Sequence, residues 1–181
     1  MTGACAQHAL ACHPVSRTTA VRTVQAGIAS TQRGALALRF QLRGDMARIE
    51  VPCLGKPERR DGLWRHTCFE CFVRACGDAY LEFNFSPTRA WAAYAFRGYR
   101  DPAPSPADFD PCIALDFRSD GIDLDATIPA AALPSRDMKE RWRIGLSAVI
   151  EDSSGVLTYW ALRHAEGKPD FHHDAAFALE L

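Results

Sequence analysis

Trp64, His66, Glu70, Glu82, Asn84 and Ser86 recur at alternate positions in two neighbouring segments of the chain. An indole, an imidazole, two carboxylates, an amide and a hydroxyl on one surface form a plate with hydrogen-bonding groups beside it. That is what a polyol ring requires: a flat apolar face stacks on the aromatic, and polar groups grip the hydroxyls. The positions between them, Phe69, Cys71 and Val73 in the first segment and Leu81, Phe83 and Phe85 in the second, are large and apolar. Period two is the pattern of strands buried on one face, so the two segments are predicted to pair with their apolar faces together. That pairing needs an odd-length connection or a bulge, because a one-residue slip turns every side chain over. An ordinary solvated sheet face shows the same alternation.

Other residue sets have simpler readings. Cys68 and Cys71 form a CxxC, but within a strand their sulfurs face opposite sides and no helix dipole acts on them. Cys5, His8, Cys12 and His13 have zinc-ligand chemistry without an apolar segment to organise it, and read as an irregular tail. His164, Asp170, His172 and His173 can supply a metal, yet adjacent histidines on extended chain point apart. The stretch 167–173 reads as a loop at the edge of the sheet, where Lys168 and Asp170 are placed to close the site. Glu70 and Glu82 resemble a glycosidase pair, for which carboxyl separations of about 5–5.5 Å or about 6.5–9.5 Å are required. Ordinary hydrogen bonding accounts for them equally well. No phosphate-binding glycine loop, GxSxG or HExxH is present.

These side chains must be held by a framework, and the chain predicts one made of strands. Segments 21–30, 35–42, 47–51, 64–75, 79–85, 91–96, 113–118, 122–128, 141–150, 156–162 and 176–181 alternate or are rich in strand formers, with turn signals between them. Residues 52–62 and the proline-rich tract from Asp101 read as loops, and no good amphipathic helix is present. About ten short strands predict an all-β protein, an antiparallel β-sandwich. Residues 1–18 are expected to be irregular, followed by a single domain over 19–181. Trp142 and Trp160 sit in strongly apolar alternations and are expected in the core; Trp91 is either a second stacking plate or part of the core.

At 181 residues and a formal charge of -1, the chain fits one domain and gives no electrostatic reason to bind nucleic acid or an anionic membrane. No apolar run is long enough to span a bilayer, and the N-terminus lacks the pattern of a signal peptide. Seven cysteines without framework spacing fit free thiols in the cytoplasm.

The motif Leu63-Trp64-x-x-Thr67-Cys68-Phe69-Glu70-x-Phe72, then Tyr80-x-Glu82-Phe83-Asn84-x-Ser86-Pro87, then Trp91-Ala92-x-Tyr94-x-Phe96-x-x-Tyr99-Arg100, resembles a bacterial group of DOMON-like proteins. That group is similar to family 9 carbohydrate-binding modules. The resemblance implies an immunoglobulin-like or jelly-roll sandwich in which aromatic rings hold a saccharide, and it places Trp64 and Glu70 at matching positions. Asn84 follows from strand geometry instead. Haem-binding relatives use a methionine and a histidine as axial ligands, and Met1, Met46 and Met138 do not align with that role. The sequence therefore predicts a non-catalytic binder of a small carbohydrate through Trp64, His66, Glu70, Glu82, Asn84, Lys168 and Asp170, with no catalytic residues and no cofactor. The alternatives are a haem- or metal-binding protein, a glycoside hydrolase using Glu70 and Glu82, and a protein-interaction module.

Overall fold

The computed structural model describes residues 6–106, 109–135 and 140–181. It is all-β. The strands are β1 (Gln7–Cys12), β2 (Val21–Ser30), β3 (Leu36–Gly44), β4 (Glu58–Arg59), β5 (Cys68–Arg74), β6 (Tyr80–Phe85), β7 (Ala90–Gly98), β8 (Asp101–Ala103), β9 (Cys112–Arg118), β10 (Gly121–Ile128), β11 (Arg143–Glu151), β12 (Leu157–Ala161) and β13 (Leu179–Glu180). They form one continuous hydrogen-bonded path, β4-β7-β6-β5-β11-β12-β1-β2-β3-β10-β9, with β8 beside β7 and β13 beside β11. Pairing is antiparallel except between β4 and β7, so the sheet is mixed.

The sheet curls so that β3 and β5 face each other. Phe40 of β3 and Phe69 of β5 stack across the interior with ring centroids 5.1 Å apart. Phe83, Ile122, Leu124, Leu146, Trp142 and Trp160 join the same buried cluster. Removing this much apolar surface from water is the main force holding the curl closed.

β1 is the element through which the two halves become one sheet. Gln7–Leu10 pair with β2, while Ala11 and Cys12 pair with β12. This corrects the expectation of an irregular segment over 1–18 for Gln7–Cys12, while residues 1–5 lie outside the described residues. Leu10 is the one fully buried residue of β1, so its strand character rests on backbone pairing on both sides and leaves no apolar alternation to read. The strand count is thirteen instead of about ten: β1 was not expected, and β4 and β8, with two and three residues, are too short to carry a pattern. The expected strand at 47–51 is instead a 3-10 turn, Met46–Arg48, capped by the Asp45 carboxylate accepting from the Ala47 N–H at 3.2 Å. Only Ile49 pairs beyond it, in an isolated bridge to Asp152.

The β5–β6 hairpin has the predicted register. Phe69 lies opposite Phe85, Cys71 opposite Phe83 and Val73 opposite Leu81. Residues 75–79 make the connection, an odd number, with Gly77 at φ 79. Cys68 and Cys71 face opposite sides, one outward beside Leu63 and Ala92 and one into the main core.

Candidate functional site

The reverse face of β5, β6 and β7 carries the chemistry. Glu70 lies opposite Asn84, and Glu82 lies between Phe72 and Tyr94. Ser147 of β11 lies opposite Glu70. This polar patch is not open to bulk water: Glu70 is 2% exposed, Glu82 5% and Asn84 0%. A cleft of about 430 Å³ opens above it, with Glu70 and Glu82 in its lining. Tyr94 and Phe96 of β7, Tyr159 of β12, and Trp64 and Phe171 from loops give it aromatic walls; Arg100 and His172 complete the polar lining. Its volume and its mix of apolar wall and few polar groups are those of a small-molecule site.

Two segments outside the sheet shape the cleft. The first is the 3-10 turn Leu63–Arg65, entered through Gly62 at φ 77, a conformation that favours glycine. The Tyr94 hydroxyl accepts from the Gly62 N–H at 3.1 Å, which ties the turn to the cleft floor. Trp64 sits on this turn, 47% exposed, with the Arg65 guanidinium 5.1 Å from its ring centroid.

The second is the irregular segment 163–178. Asp170 accepts from the Tyr99 hydroxyl at 2.6 Å and from Arg100 at 2.8 Å. Asp174 accepts from Arg74 at 2.6 Å and Arg143 at 2.7 Å. Gly145 lets this segment approach, since a Cβ there would stand 3.1 Å from the Ala176 carbonyl oxygen.

The electrostatics follow from burial. Desolvation pushes the Glu70 carboxyl well above the usual carboxylate range, and the nearby charge of Glu82 adds to it; the Ser147 hydroxyl, donating at 3.2 Å, opposes. Desolvation raises Glu82 to about 7, against the Asn84 N–H, which donates to it at 2.8 Å, and the charge of Arg100. His172 goes the other way, lowered to about 4 by burial and by Arg100. Its imidazole is therefore neutral at pH 7. The Tyr80 hydroxyl is hydrogen-bonded to its Nδ1 at 2.8 Å, and its Nε2 faces Glu82, 3.6 Å away and beyond a direct hydrogen bond. For Asp170, burial acts upward, but the bonds from Tyr99 and Arg100 outweigh it and hold the carboxylate below its ordinary value.

Of the residues singled out in the sequence, Trp64, Glu70 and Glu82 line one cleft. Asn84 lies beneath it, its amide engaged with Glu82. Asp170 stands behind the wall and holds Arg100. Lys168 is exposed and does not line the cleft. His66 is also elsewhere. The strand begins at Cys68, so the expected alternation breaks at the turn; His66 points to Glu151, Nδ1 to Oε2 2.7 Å. It borders a second pocket of about 630 Å³ lined by groups such as Arg60, Asp61 and Arg65, without an aromatic plate among the described residues. Trp91 is core, against Phe109.

The histidines near the C-terminus are separated. His164 is held against the Ala11 carbonyl, His172 against Tyr80, and His173 accepts from the Ala175 N–H. Among the described residues no three His, Cys, Asp or Glu side chains are grouped to hold a metal ion. Cys5, Met1 and Met138 lie outside the described residues. Arg100, His172, Tyr94, Phe96, Tyr159 and Phe171 were not anticipated in the site.

No protein-family model matches the sequence, and no curated protein matches it. Solved structures do match the fold. A crystal structure of a candidate carbohydrate-binding protein from Bacteroides uniformis superimposes with a TM-score of 0.63, covering 95% of this chain and 84% of that one at 15% identity. A family 9 carbohydrate-binding module from Caldicellulosiruptor kristjanssonii, solved in complex with cellotriose, gives a TM-score of 0.56, covering 90% and 75% at 10% identity. The chain therefore has the fold of a carbohydrate-binding module. No helix among the described residues is long and apolar enough to cross a membrane.

Proposed function

We propose that this protein is a non-catalytic binder of a small carbohydrate, seated in the cleft over Glu70 and Glu82. The observation that carries the reading is the juxtaposition of two buried carboxyls with aromatic walls on one sheet face. Trp64 stacks on the sugar ring. Glu70 and Glu82 take the hydroxyls from below, and Arg100, fixed by Asp170, donates from the side. Asn84 acts through Glu82 as a positioning residue. Lys168 and His66 have no role in this arrangement.

The facing halves of the curled sheet support a jelly-roll sandwich of DOMON-like type. The six described cysteines are free thiols, which suits a reducing, cytoplasmic setting.

The test is calorimetry of the intact chain with monosaccharides and β-linked disaccharides. A saccharide that binds the native protein is expected to lose at least about tenfold in affinity in Trp64→Ala, with the melting temperature little changed because the indole is half exposed. Unaltered affinity in both Trp64→Ala and Glu82→Ala would remove the site from this cleft.

A further inference from the structure

The described residues treat their buried acids unequally. Asp123, on the outer face of β10, is fully buried and meets Arg43 at 2.5 Å, Arg39 at 3.1 Å and Arg118 at 3.4 Å. Asp174 holds Arg74 and Arg143, and Asp170 holds Arg100. Glu70 and Glu82 have no arginine or lysine within ion-pair distance among the described residues. Among the described residues the one basic side chain within 4 Å of Glu82 is His172, whose Nδ1 is already engaged by Tyr80. Arg100 faces the same cleft, but its charge is balanced by Asp170. Tyr80, Tyr94 and Cys68, titratable groups near the pair, carry no charge at pH 7, and burial raises each further from it.

The cleft floor is thus rich in acceptors and poor in donors. Beneath the two carboxyls lies Asn84 Oδ1, fully buried and without a hydrogen-bond partner. Asn84 lies opposite Glu70 in register and donates to Glu82, so this oxygen belongs to the same cluster. A neutral hydroxyl brings one donor. An ammonium group brings three, together with the charge that two desolvated carboxylates lack. The walls agree with this, since the faces of Trp64, Tyr94 and Phe96 attract a cation as well as a sugar ring.

Resting on the carbohydrate reading of the cleft, we infer that its ligand is an amino sugar, whose primary ammonium group sits between Glu70 and Glu82 while its ring stacks on the aromatic wall. In the empty cleft the carboxyl pair retains a proton. The incoming ammonium replaces it, and that proton passes to solvent, so charge is conserved across the exchange.

The experiment is isothermal calorimetry of the full chain at pH 7 with D-glucosamine, D-glucose and N-acetyl-D-glucosamine, each in two buffers of different ionisation enthalpy. Glucosamine is expected to bind at least about tenfold more tightly than glucose, with net proton release to the buffer. N-acetylation, which removes the charge, should erase the preference. Glu82→Gln and Glu70→Gln, each checked for native circular dichroism, should bring the glucosamine-to-glucose ratio close to unity. Equal affinity for glucosamine and glucose would overturn the inference and leave the carbohydrate reading standing. No binding by glucosamine would overturn the inference, and silence from all three sugars and from the β-linked disaccharides would overturn the carbohydrate reading as well.

Discussion

Asn84 donates its side-chain N–H to Glu82 across 2.8 Å while its own carbonyl oxygen, fully buried, meets no partner. The pair is therefore asymmetric: the amide stabilises one carboxylate and leaves one acceptor waiting. Asn84→Ala removes the donor and strands Glu82 in the same low-dielectric setting. The expected cost is about 1–3 kcal/mol of folding stability at neutral pH. Urea denaturation of the variant beside the native chain measures it, and a loss confined to a few tenths of a kcal/mol would mean that water already solvates Glu82.

The raised carboxyl makes stability depend on pH in a definite direction. Glu82 goes from an unperturbed 4.5 to about 7 on folding, so between those values the folded state binds more protons than the unfolded one. Its stabilising contribution is full below pH 4.5 and is lost as pH rises through 7. Glu82→Gln removes this loss. The variant should match the native chain near pH 4.5 and exceed it at pH 8 by up to about 3 kcal/mol. His172 opposes in the acid range: lowered to about 4, it withdraws stability as pH falls from 6.5 through 4. Thermal melts of both chains from pH 4 to 9 separate the two groups, because only the alkaline limb responds to the substitution.

Tyr94 links the cleft floor to the turn that carries Trp64. Its hydroxyl accepts from the Gly62 N–H, and its ring lines the cleft beside Glu82. Tyr94→Phe keeps the ring and releases the turn. Saccharide affinity is expected to fall about threefold to tenfold, with a stability change within about 1.5 kcal/mol. Hydrogen exchange at residues 62–66 should accelerate in the same variant, which distinguishes a loosened turn from a direct loss of contact to the sugar.

The part of this site that could be read from the sequence lies on β5 and β6. Their alternation determines which side chains face the core and, with the odd connection, which face each other, and this places Glu70, Glu82 and Asn84 together. Tyr94 and Phe96 were within reach of the same reasoning. They share the parity of Ala92 in β7, and extending the register by one strand puts Tyr94 beside Glu82. His66 departs from the alternation because a left-handed Gly62 and the 3-10 turn after it reset the side-chain directions. Phe171 and His172 carry no periodic signal. Segment 163–178 is positioned by Asp170 and Asp174 reaching arginines far away in the chain, and such pairings become visible only when the fold places Arg100 and Arg74 next to them. β1 escaped for a related reason, since a strand held by pairing on both edges needs little apolar content.

The contact that closes the curl also yields a prediction. Phe40 and Phe69 come from opposite halves of the sheet, both fully buried and stacked at 5.1 Å. Phe40→Ala deletes an interior ring in a close-packed layer where neither neighbouring strand can move inward without breaking its ladder. The cost should be about 3–5 kcal/mol, against less than about 1.5 kcal/mol for Phe40→Leu, which retains most of the volume. Guanidinium unfolding of the two variants tests this. If Phe40→Ala lost no more than Phe40→Leu, the two halves would not be packed as one core. Saccharide affinity should be unaffected in Phe40→Leu, because the cleft lies on the reverse face of β5 and β6, separated from Phe40 by the sheet itself.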